Sequence, residues 1–172
     1  MTGYVLTNLK VLVVEKQLFM RRLLGDVLLQ MGVINVMKVS TIGEAIELSS
    51  KIEFDMVLLD WAPDMDAMEY LEVVRNSDSS RDPFVPVVVV TAYCEYTHVC
   101  EARDAGMTEY LTKPISATAL YMRIKSIIER HRRFVKTQNF FGPDRRRRTD
   151  LPATGLPANE DRRKFTPHAV NA

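Results

Sequence analysis

The chain contains no run of 18 apolar residues, so it offers no candidate for a membrane-spanning helix. It has two cysteines, Cys94 and Cys100, with five residues between them and no Cys-x-x-Cys pairing. That excludes a disulfide framework and a cysteine zinc site, and reads as reduced thiols. Its histidines, His98, His131 and His168, are too scattered to suggest a metal. Seven glycines are spread along the chain without forming a Gly-rich phosphate loop. No residue set suggests hydrolysis or redox chemistry, so the chain is not expected to be an enzyme. The opening Met-Thr-Gly-Tyr-Val-Leu lacks a basic region followed by an apolar stretch, so no secretory leader and a cytoplasmic location are expected.

What is present is a charge division. The net charge of +1 hides two segments of opposite sign. Residues 1–129 hold 12 Lys/Arg against 18 Asp/Glu, a net −6; residues 130–172 hold 11 against 4, a net +7. A cationic end on an acidic body points to capture of an anion. With 172 residues and 47% apolar content, the chain can build one core of ordinary size, to about position 135, plus an extension.

Short apolar runs alternate with helical periodicity. Val11–Val14, Val33–Val39, Met56–Leu59, Val85–Val90 and Glu109–Leu111 read as strands. Three are apolar almost throughout, as strands buried on both faces of a parallel sheet should be. Leu24, Val27, Leu28 and Met31 share a helical face. Thr41 followed by Glu44 has the spacing of a capping box that opens a second helix. Ala67–Arg75 and Thr97–Gly106 give a third and a fourth, and Ser116 caps a fifth whose Leu120, Ile124, Ile127 and Ile128 recur on one face. Five strands alternating with five helices predict a doubly wound α/β fold, with ligands at the carboxyl ends of the strands. After about residue 136 the pattern fails. The boundary is set there, between a domain at 1–136 and a tail at 137–172 expected to stay disordered until a ligand binds.

Several motifs in order resemble the CheY-like receiver domains of bacterial response regulators, over roughly residues 8–132. They are "VLVVEK" with Glu15, "DMVLLDW" with Asp60, "VVVVTA" with Thr91, and "YLTKP" with Lys113 and Pro114. The resemblance implies, rather than spacing deriving, a five-stranded parallel sheet of order 2-1-3-4-5. It also implies phosphoryl transfer to a carboxylate, with Asp60 as phosphoacceptor, Lys113 as cation, Thr91 as reporting hydroxyl and Tyr110 as aromatic switch. The metal roles would fall to Glu15 and Asp60. Receivers carry two adjacent acids after the first strand, whereas this chain has Glu15 and Lys16. At 4 Å and an effective dielectric of 20, a cation so placed opposes Mg²⁺ by about 4 kcal/mol. Pro63 comes early in the next loop, and Ala67 stands where the family has glycine. One reading of the pocket is a phosphorylatable switch. The other is an inherited pocket in which Lys16 pairs with Asp60 and fixes one conformation. Trp61 reads as packing at the site's edge, and Tyr121 as lying near the face receivers present to partners.

The end of the chain reads "GPDRRRRTD", eight residues, then "NEDRR". Arginine forks suit phosphates and the O6/N7 edge of guanine, and carboxylates accept from guanine donors. This grammar resembles bipartite Arg/Asp motifs that grip self-stacked cyclic di-GMP. A receiver with such a tail resembles the CheY-like cyclic di-GMP effectors called Cle proteins. That resemblance implies ligand-controlled docking on the flagellar motor switch. The expected contacts are Arg145, Arg146, Arg147 and Arg148 on phosphates and guanine edges, Asp144, Asp150 and Asp161 on guanine donors, and Arg162 and Arg163 in the second half. Phe140 or Phe141 packs on a base or back on the domain. Arg130, Arg132, Arg133 and Lys136 complement the fifth helix's dipole or extend the anion site. The rivals are an ordinary phosphoreceiver and a nonspecific nucleic-acid tail. The acids within the tail argue against the second, so no DNA partner is expected.

Overall fold

A computed structural model describes residues 4–76, 80–130 and 132–144. Five parallel strands, β1 (Lys10–Val14), β2 (Asn35–Val39), β3 (Met56–Trp61), β4 (Val87–Thr91) and β5 (Glu109–Thr112), lie in the order β2-β1-β3-β4-β5. They alternate with α1 (Leu18–Gln30), α2 (Ile42–Lys51), α3 (Ala67–Arg75), α4 (Tyr96–Asp104) and α5 (Ala117–Glu129). The doubly wound α/β expectation and the implied order both hold.

Side-chain alternation divides the core. Leu12, Val14, Val57, Leu59, Val87 and Val89 pack with α2 and α3 through Ala45, Tyr70, Leu71 and Val74. Val11, Val13, Met56, Leu58, Val88 and Val90 pack with α1 and α5 through Leu24, Leu28, Leu120 and Ile124. Both faces of β1, β3 and β4 are covered, which is why these strands read as unbroken apolar runs. The edge strand β2 is the most exposed.

Thr41 and Glu44 form the expected capping box, and Ser116 accepts from the backbone N–H of Ala119. Two strands are shorter than their apolar runs. Val33 is buried ahead of β2, and Pro86, which has no N–H to donate, precedes β4 at Val87.

The larger difference lies after α5. Residues past 136 were expected to lack order, yet β6 (Phe134–Thr137) and β7 (Phe140–Pro143) pair antiparallel, with Lys136 opposite Phe141. The hairpin runs across the 136/137 boundary read from composition. Phe141 packs back on the domain, 5.3 Å from Phe84 and 5.6 Å from Phe134 between ring centroids. Among the described residues, no helix is long and apolar enough to cross a membrane.

Candidate functional site

Parallel register brings the carboxyl ends of β1, β3, β4 and β5 to one edge: Val14 pairs with Leu59, Trp61 with Thr91, and Thr91 with Thr112. Glu15, Asp60, Thr91 and Lys113 therefore meet there although up to 98 residues separate them in sequence.

Lys113 is the hub. Its Nζ donates to Asp60 Oδ1 at 2.7 Å and to Glu15 Oε2 at 2.9 Å. Glu15 is fully buried, and its Oε1 accepts the Gln17 backbone N–H at 2.9 Å. Arg21 donates to the backbone carbonyls of Glu15 and Lys16, fixing the turn after β1. Asp60 is 5% exposed. Burial raises its pKa, Lys113 opposes that shift, and the Glu15 charge adds to it; the net shift is upward. Burial pulls the Lys113 amine down, but its bonds to Asp60 and Glu15 outweigh this and its pKa is also raised. The two shifts share a sign because Lys113 sees two carboxylates, whereas Asp60 shares one ammonium with a second buried anion.

The expected Lys16–Asp60 pair is a correction. Lys16 pairs with Asp64, in the loop after β3. Glu15 turns inward at the end of β1, so the next side chain faces solvent, and Lys113 already holds Asp60.

The Thr91 hydroxyl, fully buried, donates to the Trp61 carbonyl at 2.7 Å and accepts the Tyr93 N–H at 3.0 Å. Tyr110 donates its hydroxyl to the Tyr93 carbonyl at 2.9 Å. His98 stacks on Tyr93 at 4.4 Å, and Trp61 meets both rings edge-on at 5.3 and 5.4 Å. Thr91 and Tyr110 are thus both tied to the loop that leaves β4. Sequence reading took Trp61 as edge packing and left Tyr93 and His98 unassigned; nothing in their spacing marks a shared cluster.

A divalent cation is implied here by the resemblance. Two carboxylates converge, both already bonded to one ammonium, and Lys16 stands at the second acid's position. Among the described residues, no group of three or more His, Cys, Asp or Glu comes together. Mg²⁺ demands a near-octahedral set of oxygens and keeps several waters, and this donor set fits it poorly.

Asp144 is the last described residue. Its backbone N–H donates to the Arg133 carbonyl at 2.7 Å, and its carbonyl accepts from Arg132. Arg132 also donates to the Thr108 carbonyl at 2.9 Å, a role neither helix-dipole complementation nor an anion site anticipates. The remaining tail candidates, Arg145, Arg146, Arg147, Arg148, Asp150, Asp161, Arg162 and Arg163, lie outside the described residues. Cys94 and Cys100 are both free thiols.

Residues 11–125 match the response regulator receiver domain family. The chain is 30% identical over 124 residues to the chemotaxis protein CheY-3 of Vibrio cholerae, covering 72% of this chain and 94% of that protein. It is 31% identical over 123 residues to the chemotaxis protein CheY of Pseudomonas aeruginosa, covering 71% and 98%. In structure it is similar to the chemotaxis protein CheY4 of Vibrio cholerae, with a TM-score of 0.63 at 24% identity over 69% of this chain and 98% of that one. A CheY-like receiver domain protein from Methanospirillum hungatei gives 0.61 at 25% identity over 70% and 94%. Sequence match, sheet order and the meeting of Asp60, Thr91 and Lys113 at one edge agree: this chain belongs to the response regulator receiver domain family.

Proposed function

We propose that this receiver is a non-enzymatic signalling adaptor that takes its input at its C-terminal arginines. It binds cyclic di-GMP there, then docks on a partner such as the flagellar motor switch. The observation that carries this reading is the fixed position of Asp144, whose backbone is held on both sides directly ahead of Arg145–Arg148. The arginine fork and neighbouring carboxylates supply both donors for phosphates and acceptors for guanine. The poor fit of the Glu15 and Asp60 carboxylates, both bonded to Lys113, to Mg²⁺ supports an input other than phosphorylation. The names of the two curated relatives, both chemotaxis proteins, support a partner in the motility apparatus.

Isothermal titration of the full chain with cyclic di-GMP, GTP and cyclic AMP tests the ligand. Selective uptake of the cyclic dinucleotide is expected; equal binding of all three, or none, ends the reading. Capture of purified motor switch protein with and without cyclic di-GMP tests the output, and recovery indifferent to the ligand counts against a switch.

A second reading is a conventional receiver phosphorylated on Asp60 by a histidine kinase. The Asp60–Lys113 contact and the adjacent Thr91 favour it. Incubation with acetyl phosphate and Mg²⁺, followed by intact mass, decides: a phosphoryl adduct absent from D60N supports this reading, and an unmodified wild type rejects it.

A further inference from the structure

We infer that the Lys16–Asp64 ion pair is a strap across the mouth of the Asp60 pocket, and that its opening sets how readily a reagent reaches the Asp60 carboxylate. Every residue in it lies at the carboxyl end of the sheet, so it does not rest on the nucleotide reading above.

The mouth lies between two turns. Val14 of β1 pairs with Leu59 of β3, so Glu15 and Asp60, one residue further on, stand side by side. Beyond them the chain leaves the sheet, from β1 into α1 and from β3 into α3. Lys16 comes from the first turn and Asp64 from the second, and their side chains meet. The two side chains are 56% and 59% exposed, whereas Asp60 is 5% exposed. The contact is therefore at the surface, and the carboxylate it spans lies beneath.

The backbone at each end of the strap is held. Arg21 donates to the carbonyls of Glu15 and Lys16 at 2.6 and 3.0 Å, and the Gln17 N–H donates to Glu15 Oε1. Ala62 and Met65 exchange backbone bonds at 3.0 and 3.3 Å, so Asp64 sits at the tip of a closed turn. Asp66 then caps α3 by accepting from the Met68 N–H. With both turns fixed, swinging the Lys16 and Asp64 side chains apart is the least disruptive way to open the mouth. The hydrogen bond from Lys16, and the charge behind it, hold the Asp64 carboxyl below its ordinary pKa, so the pair persists at neutral pH.

An exposed ion pair shifts an equilibrium about fivefold at most. That is too little for a permanent seal and enough for a device. A group that offers either Lys16 or Asp64 a new partner releases the strap and uncovers Asp60.

Carboxyl labelling of the full chain tests this, with a cationic water-soluble carbodiimide and methylamine. The carbodiimide takes up the carboxyl as an O-acylisourea; an amine then displaces the urea and leaves an amide. Peptide mass mapping reads Asp60 as the methylamide or as a cross-link to Lys113, relative to Asp26, which is exposed on α1. Asp64→Asn and Lys16→Gln both break the strap but change the local charge in opposite directions. Both should raise the relative Asp60 rate about two- to fivefold, with melting temperatures near that of wild type. Exchanging the charges, Lys16→Asp with Asp64→Lys, should return the rate to the wild-type value. Wild-type labelling in Asp64→Asn overturns the inference. So does a rise confined to Lys16→Gln, which would mark an effect of charge on the cationic reagent.

Discussion

Lys113 neutralises two buried carboxylates with a single ammonium, and this contact makes distinct demands at the residue scale. Lys113→Ala leaves Glu15 and Asp60 facing each other, and truncating one member of a buried pair costs about 3–5 kcal/mol. Partial exposure of the Lys113 side chain places the expected loss at the low end of that range. Lys16→Ala, which breaks an exposed pair with Asp64, should cost no more than about 1 kcal/mol. Urea unfolding of the two variants checks the contrast, and equal losses would contradict the hub. The pH dependence has a definite sign. The Asp60 pKa is raised on folding, so the folded state binds that proton more tightly than the unfolded chain. The associated stability is present at low pH and is lost as pH rises above the ordinary carboxylate range, about 4. The stability of D60N relative to wild type should therefore grow between about pH 4 and 7. A difference that stays flat or shrinks would show that Lys113 overcompensates for burial.

At the scale of elements, the caps and the hairpin make separable contributions. Thr41→Ala removes one half of the α2 capping box and should cost about 1 kcal/mol. Gly142→Ala places a methyl 2.9 Å from Phe140 Cζ and 3.0 Å from a backbone carbon that has no side chain to move. The hairpin must lift, at about 1–3 kcal/mol, and limited proteolysis should then cleave between residues 132 and 144. Resistance equal to wild type would mean the hairpin does not depend on the close approach to Gly106. The core elements were legible because β1, β3 and β4 are buried on both faces and α2 and α5 open on the caps Thr41 and Ser116. The hairpin was not, because its strands are four residues each, one ends in proline, and its aromatics pack on Phe84 and Arg75 rather than on the main sheet. The partner of Lys16 was not legible either, since the choice between Asp60 and Asp64 depends on where Lys113, nearly 100 residues away, places its amine. Lys113 itself was legible by resemblance; its bridge to Glu15 needed the register of β1, β3, β4 and β5.

For the molecule as a whole, two ends of one sheet carry different chemistry. The carboxyl edge holds Asp60 in a Lys113 clamp with Thr91 and Tyr110 tied to the same loop. The amino edge anchors Asp144, after which residues 145–172 hold seven Lys/Arg against three Asp/Glu. An input at the tail need not pass through Asp60, so D60N should take up cyclic di-GMP with wild-type affinity. The most direct measurement is isothermal titration of cyclic di-GMP into the full chain and into its R145A/R146A/R147A/R148A variant, with thermal unfolding of both. Removing several charge-assisted contacts of about 1.5–3 kcal/mol each should weaken binding by at least about 100-fold while the body melts as before. Undiminished uptake by the variant, or an intact chain that ignores the dinucleotide, would contradict the account.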